Sequence, residues 1–208
     1  LSGSHASCCR NFPTPQRPST NYTANPTNVR WQWTPTRLRT MPRIGVISDT
    51  HGLLRPEALA ALQGCDAILH AGDIGTADIL AQLASLAPTT AVRGNNDKGP
   101  WATDLPEREW IDIDGVLIHL LHDIADLDVD PAAAGIHVIV TGHSHRPRIE
   151  QRAGILHLNP GSAGPRRFKL PVTVAILEIE QGLASARILD IDTGSKQPGP
   201  NASTAGTP

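Results

Sequence analysis

From Arg43 onward the chain alternates between short apolar runs and turn-forming clusters. Residues 44–48 (Ile-Gly-Val-Ile-Ser) make an apolar run too short for a helix and suited to a buried strand. A helix is expected over 56–63, opening on Pro56, whose fixed φ suits the first helical position. Residues 67–70 read as the next strand. Over 76–86 the residues Ile79, Leu80, Leu83 and Leu86 recur at helical spacing, and 89–93 returns to strand just before Gly94. The segments 109–113 and 116–121 flank Asp114-Gly115, the strongest two-residue hairpin signal, and further strands are expected at 138–141, 155–158, 172–179 and 186–191. Helices early and strands late predict two packed sheets with helices outside them, rather than a purely parallel doubly wound sheet.

The ends of the chain break this pattern. Residues 1–40 hold no Asp or Glu, five Arg and five Pro, and no apolar period of 2 or 3.6, so nothing there can build a core. The composition resembles a transit peptide, but the scattered prolines oppose the amphipathic helix that such a peptide needs. Two readings remain, a disordered leader or a stretch upstream of a native start at Met41, the only Met. Residues 193–208 are small, polar and rich in Pro and Gly and read as a flexible tail, which leaves 41–192 as one folded domain.

All 20 acidic residues follow residue 40, against 13 of the 18 basic ones, so the domain is acidic and no non-specific nucleic-acid grip is expected. Cys8, Cys9 and Cys65 form neither a disulfide framework nor a zinc pattern, and no apolar run reaches the ~18 residues of a membrane span. A cytoplasmic, membrane-free protein is the expectation. The sequons at Asn21 and Asn201 sit in the low-complexity ends and read as chance.

Candidate chemistry gathers where apolar runs end. The first strand runs into Asp49-Thr50-His51, the second into Gly72-Asp73, the third into Gly94-Asn95-Asn96-Asp97, the hairpin into His122-Asp123, and 138–141 into Gly142-His143-Ser144-His145. Taken singly, each is weak: an Asp-x-His is usually chance, a Gly-Asp pair usually a turn, and a lone His usually a structural histidine. Strands of one sheet, however, deliver their carboxyl ends to a common edge, where open α/β folds place their sites. Five segments would then converge on one pocket. Two divalent ions about 3.5–4 Å apart need a bridging anion, which a carboxylate in a glycine-tight loop such as Asp73 can supply. Mixed His, Asp and Asn donors suit Mn, Fe, Zn or Ni better than Ca or Mg.

In this order the motifs resemble the signature of the calcineurin-like metallophosphoesterases, over essentially the whole of 42–192. The short length, the bare Asn159-Pro160-Gly161-Ser162 and the lack of a cap domain resemble the small YfcE-type phosphodiesterases. The resemblance implies a two-sheet β sandwich flanked by helices, the four-layer α/β (α+β) architecture of that family. It implies that Asp49, His51 and His145 hold one metal, that Asn95, His122 and His143 hold a second, and that Asp73 bridges them. Asp73, Asn95 and His143 would also be the catalytic residues around a metal-bridging hydroxide that attacks a small phosphodiester. The expected cofactors are two divalent cations, with manganese foremost. The partner is a small phosphoester, and a homo-oligomer is compatible with the sequence. A phosphomonoesterase with the same site, or a non-catalytic scaffold or adaptor, are the competing readings.

Departures from the pattern are informative. Many members carry His after the metal-binding Asn, where it can protonate the leaving group, whereas this chain has Asn96, and an amide is no general acid near neutral pH. Asp97 and Asp123 read either as supports for ligand histidines or as solvated loop acids. Arg166, Arg167 and Lys169 could meet substrate phosphate, with a solvated basic loop as the commoner case. His70, His119, His137 and His157 are expected to be structural, and Trp101 and Trp110 to lie in the core or at its rim.

Overall fold

The computed structural model describes residues 23–24, 31–32, 41–167 and 169–192. Apart from four residues, the expected leader (1–40) and the whole of the expected tail (193–208) lie outside the described residues. Those four form two short strands that the apolar pattern did not anticipate, β1 (Thr23–Ala24) and β2 (Trp31–Gln32). Then come β3 (Arg43–Ile47), α1 (Pro56–Leu62), β4 (Ala67–His70), α2 (Ala77–Ala84), β5 (Thr89–Ala91) and the single-turn α3 (Pro100–Thr103). The later half holds β6 (Arg108–Ile113), β7 (Val116–Leu121), a 3-10 turn (Ile124–Asp126), β8 (Val138–Val140), β9 (Arg148–Arg152), β10 (Ile155–Asn159), β11 (Thr173–Glu180) and β12 (Leu183–Asp190).

Two mixed sheets result, one in the order β12-β11-β3-β4-β5 and one in the order β1-β2-β6-β7-β8-β10-β9. They pack face to face over a core that draws Ile44, Val46, Leu69 and Leu177 from the first sheet and Ile118, Leu120, Val138 and Val140 from the second. Each such side chain, once fully buried, contributes about 1.5–3 kcal/mol. The other face of the first sheet is covered by Ala58 and Leu62 of α1 and Ile79 and Leu83 of α2. The outer face of the second, to which Trp110 of β6 belongs, is covered by Leu127, Val129 and Ile136 from the segment that follows the 3-10 turn. Four layers are thus built on two sheets, the metallophosphoesterase sandwich expected from the sequence.

This layering explains what the pattern reveals and conceals. β3 and β4 are buried on both faces, so they read as unbroken apolar runs. β9 is an exposed edge strand of sequence Arg-Ile-Glu-Gln-Arg, with no apolar run to mark it, and went unpredicted. Its hairpin with β10 turns on Ala153 (φ 48°) and Gly154 (φ 81°), and β11 turns into β12 on Gln181 (φ 51°) and Gly182 (φ 78°). Both match the Asp114 (φ 50°) and Gly115 (φ 80°) turn, the left-handed pair whose twist suits a hairpin.

Candidate metal centre

Three neighbouring parallel strands, β3, β4 and β5, end at one edge and release the first three ligand-bearing loops side by side. The first two loops remain zipped beyond the strands. Asp49 N–H donates to Gly72 O (3.0 Å), His51 N–H to Asp73 O (2.9 Å) and Gly52 N–H to Ile74 O (2.9 Å). The second sheet brings the rest. His122 follows β7 and extends its inward series Val116, Ile118, Leu120, which points the imidazole between the sheets. His143 and His145 follow β8, where Gly142 N–H donates to His122 O (2.9 Å). Asn159, unremarked in the sequence beyond its turn, braces this loop by donating from Nδ2 to Gly142 O (2.6 Å) and Ser144 Oγ (3.2 Å).

Among the described residues, eight non-glycines have positive φ, and three of these sit in the hairpin turns above. The other five are Asp49 (54°), His51 (45°), Asp73 (54°), His143 (64°) and His145 (57°). Left-handed backbone at non-glycine residues is disfavoured and collects at functional sites. Here it bends each loop sharply at a candidate ligand. The glycines make room for this crowding: a Cβ on Gly142 would lie 2.0 Å from Ser48 Oγ, and one on Gly94 would lie 2.2 Å from Asp73 N.

The polar atoms form two groups around Asp73. In one, His145 Nε2 lies 3.2 Å and His51 Nε2 3.8 Å from Asp49 Oδ1, the two ring nitrogens are 3.4 Å apart, and His51 Nε2 is 3.7 Å from Asp73 Oδ2. Asp49 is fully buried; its Oδ2 accepts from Ser48 Oγ (2.7 Å) and His143 N (3.2 Å), while Oδ1 accepts no hydrogen bond. A buried carboxylate oxygen facing two imidazole nitrogens, without a donor of its own, is an arrangement that a cation satisfies. In the other group His122 Nε2 is 3.5 Å from Asp73 Oδ1 and 3.0 Å from Asn95 Oδ1, and His143 Nδ1 is 3.2 Å from the same Asn95 oxygen. The structure therefore brings all seven sequence-predicted ligands together, with Asp73 between the two sets.

The surroundings fix these groups in place. His122 Nδ1 lies 2.7 Å from Ala71 O, to which it donates, leaving Nε2 for the site. His143 Nε2 lies 3.5 Å from Asp123 Oδ2, and Asp123 also caps the 3-10 turn by accepting from Ala125 N (3.0 Å). Asn96 donates from its backbone to Asp73 Oδ1 (2.8 Å) and from its amide to Asp73 Oδ2 (2.6 Å). Burial pushes the Asp73 carboxyl up, but the hydrogen bonds of His122 and Asn96 outweigh it and hold the group well below the usual carboxylate range. For His122, burial opposes protonation and is overcome by Asp73 and the Ala71 carbonyl, so its pKa is raised, whereas burial lowers that of His51. Among the described residues Asp97 makes no hydrogen bond to a candidate ligand side chain. It accepts from Gly75 N (2.9 Å) and Gly94 N (2.8 Å), tying two of the loops together.

The remaining histidines behave as expected. His70 is fully buried and accepts from Gly72 N at Nδ1 (3.2 Å), with Nε2 3.0 Å from Thr50 Oγ1, which donates to Ile74 O (2.9 Å). Burial drives its pKa down to about 3, so it is neutral. His119 stacks on Trp110 on the outer face of its sheet (4.2 Å between centroids), and His137 Nδ1 accepts from Leu117 N (3.0 Å). His157 faces Glu150 across the β9–β10 pair. Trp101 packs beside the helical layer.

A cleft of about 490 Å³ opens on the His122 and His143 side, walled by Asn95, Arg93, Arg108, Leu121 and Asp126. Its arginines are already paired, Arg93 with Glu107 (2.6 Å) and Arg108 with Asp128. No helix among the described residues is long and apolar enough to cross a membrane.

Comparison with known proteins identifies the family. Residues 42–182 match the calcineurin-like phosphoesterase superfamily domain. A probable metallophosphoesterase of Methanothermobacter thermautotrophicus is 35% identical over 158 residues, covering 70% of this chain and 91% of that protein. A phosphodiesterase of Methanocaldococcus jannaschii is 27% identical over 158 residues, covering 67% and 94%. Among solved structures, a Streptococcus pneumoniae protein described as a predicted phosphoesterase aligns with a TM-score of 0.59 at 25% identity, covering 76% of this chain and 94% of that one. With the sandwich fold, the clustered donors and a domain match over most of its length, the chain belongs to the calcineurin-like metallophosphoesterases, in their small YfcE-type group.

Proposed function

We propose that the protein hydrolyses a small phosphodiester with two divalent cations, one held by Asp49, His51 and His145, the other by Asn95, His122 and His143, with Asp73 shared. The observation that carries this reading is the position of Asp73, whose two oxygens face the two histidine sets separately, at 3.7 Å from His51 and 3.5 Å from His122. When bound, such cations supply an activated water and neutralise charge on the phosphoryl oxygens. The chain's own part is to hold this framework: Asn96 orients Asp73, Ala71 O fixes the His122 ring, and Asp123 lies behind His143. The donor set suits manganese, with iron, zinc or nickel as alternatives.

The size of the cleft favours a diester over a monoester, and Asn96 sets which leaving groups are turned over. The 490 Å³ cleft lies within the ~300–1,000 Å³ typical of small-molecule sites, far more than a bare phosphate needs, so a second substituent has room. Asn96 cannot protonate a departing alkoxide, and its amide is engaged by Asp73, so turnover follows leaving-group acidity and aryl esters react fastest. Purified protein with manganese is expected to hydrolyse bis(p-nitrophenyl) phosphate faster than p-nitrophenyl phosphate and to lose activity in Asp49→Ala. A reversed ratio would make it a phosphomonoesterase. No metal-dependent turnover of either ester, with no binding of two metals per chain by calorimetry, would leave the scaffold reading.

A further inference from the structure

Arg166, Arg167 and Lys169 follow the Asn159-Pro160-Gly161-Ser162 turn, and the sequence does not say which of them, if any, meets substrate. The structure separates the two arginines. Arg166 turns outward and pairs with Asp192, beyond the end of β12. Arg167 turns inward: its Nη2 lies 3.4 Å from His51 Nε2, the same ring nitrogen that faces Asp49 and Asp73. Among the described residues Arg167 makes no ion pair. The cations in the cleft on the far side of the site are by contrast committed to Glu107 and Asp128.

The segment that carries Arg167 is fastened to the Asp49–His51 loop itself. Ala163 N–H donates to Ser48 O (3.0 Å), Gly164 N–H to Asp49 O (3.2 Å) and Ser162 Oγ to Asp49 O (2.9 Å), while Arg55 Nε donates to Gly164 O (3.1 Å). A Cβ on Gly164 would stand 2.3 Å from Thr50 O, so the two loops are in backbone contact. Arg167 is therefore presented from a fixed platform. If His51 Nε2 ligates a cation, it has no lone pair left for a guanidinium, and the two positive groups repel at this distance unless an anion sits against both. A tetrahedral oxyanion satisfies both, with one oxygen toward the metal and another toward the planar fork of the arginine.

We propose that Arg167 binds a non-bridging oxygen of the substrate's phosphoryl group, and of a free phosphate ion, on the His51 side of the site. The proposal rests on the phosphoesterase reading for its ligand but not on turnover for its test. The full chain, loaded with manganese, is titrated with inorganic phosphate by calorimetry, and metal content is measured alongside. Wild type, Arg167→Gln, Arg167→Lys and Arg166→Gln are compared, and KM and kcat for bis(p-nitrophenyl) phosphate are recorded for each.

Arg167→Gln is expected to weaken phosphate binding about tenfold or more with unchanged metal content, since one charge-assisted hydrogen bond is lost. Arg167→Lys recovers part of the loss, and Arg166→Gln binds as wild type does. Phosphate binding in Arg167→Gln equal to wild type overturns the proposal, as does a wild type that binds no phosphate. Loss of metal from Arg167→Gln also overturns it, because the side chain would then be supporting His51 rather than holding an anion. If phosphate binding depends on Arg167 and yet no ester is turned over, the proposal stands and the hydrolytic reading falls.

Discussion

Asp97 offers a sharp test of how the loops are held, because its carboxylate contacts backbone alone among the hydrogen bonds described above. It accepts from Gly94 N at 2.8 Å and Gly75 N at 2.9 Å, and it is 5% exposed. The two arms are unequal. Gly94 is buried, so its N–H has no water to turn to, and losing a charged acceptor there costs about 2–3 kcal/mol. Gly75 is exposed and can be rehydrated, which limits its arm to about 0.5–1 kcal/mol. Asp97→Ala should thus destabilise the metal-free protein by about 2.5–4 kcal/mol. Asp97→Asn can turn its single carbonyl oxygen to Gly94 and should lose only about 1–2 kcal/mol. Urea unfolding followed by far-UV circular dichroism reads both: with a slope near 2 kcal/mol/M, the alanine midpoint falls by about 1.2–2 M at unchanged slope. Asp123→Asn, at an exposed cap, should cost about 1 kcal/mol or less. An alanine variant within about 1 kcal/mol of wild type, or one more stable than the asparagine variant, would refute the reasoning.

Three further outcomes follow from the same framework. His70 has a folded pKa depressed to about 3 against about 6.5 unfolded, so its contribution is complete above pH 6.5 and is lost as pH falls toward 3. Between pH 6.5 and 5 the metal-free protein should lose up to about 1.4 kcal/mol more per pH unit than His70→Gln, and parallel slopes in urea titrations would exclude the buried neutral imidazole. Thr50→Val removes the hydroxyl between His70 Nε2 and Ile74 O, and should lower stability by about 1–3 kcal/mol, read as a midpoint shift. Gly94→Ala forces a methyl to within 2.2 Å of Asp73 N, so calorimetry should show weakened metal binding even where thermal unfolding shows the fold retained.

What the sequence disclosed depended on where each residue stood relative to the sheets. Asp49, Asp73 and His143 each follow a buried strand, so an apolar run pointed to them, whereas Asn95 follows the half-buried Thr-Thr-Ala of β5 and was marked by its place after Gly94. His122 was legible for a second reason, since it keeps the parity of Val116, Ile118 and Leu120 while His119 breaks it. The edge strand β9 was not legible: it lies at one margin and alternates charge with a single isoleucine. Supports that act through backbone atoms were not legible either. Asp97 read either as a support for a ligand histidine or as a solvated loop acid, whereas it holds two loop N–H groups, and Asn159 gave no sign that it braces the His143 loop. Arg166 and Arg167 are chemically identical neighbours, and only the path of the chain sends one to Asp192 and the other to His51.

The left-handed residues come in a repeated form. Asp49-Thr50-His51 and His143-Ser144-His145 each set two left-handed donors around one spacer. Each is a two-pronged fork whose middle tine is bent back into the protein, Thr50 onto Ile74 O and Ser144 onto the Asn159 amide. The forks come from different sheets, and His145 Nε2 of one reaches within 3.2 Å of Asp49 Oδ1 of the other. One donor set is therefore assembled across the seam of the sandwich, so sliding one sheet over the other would part its prongs before it exposed the core. The centre doubles as a clasp, and metal loading should protect the amides of both sheets against hydrogen exchange, not only those of the loops.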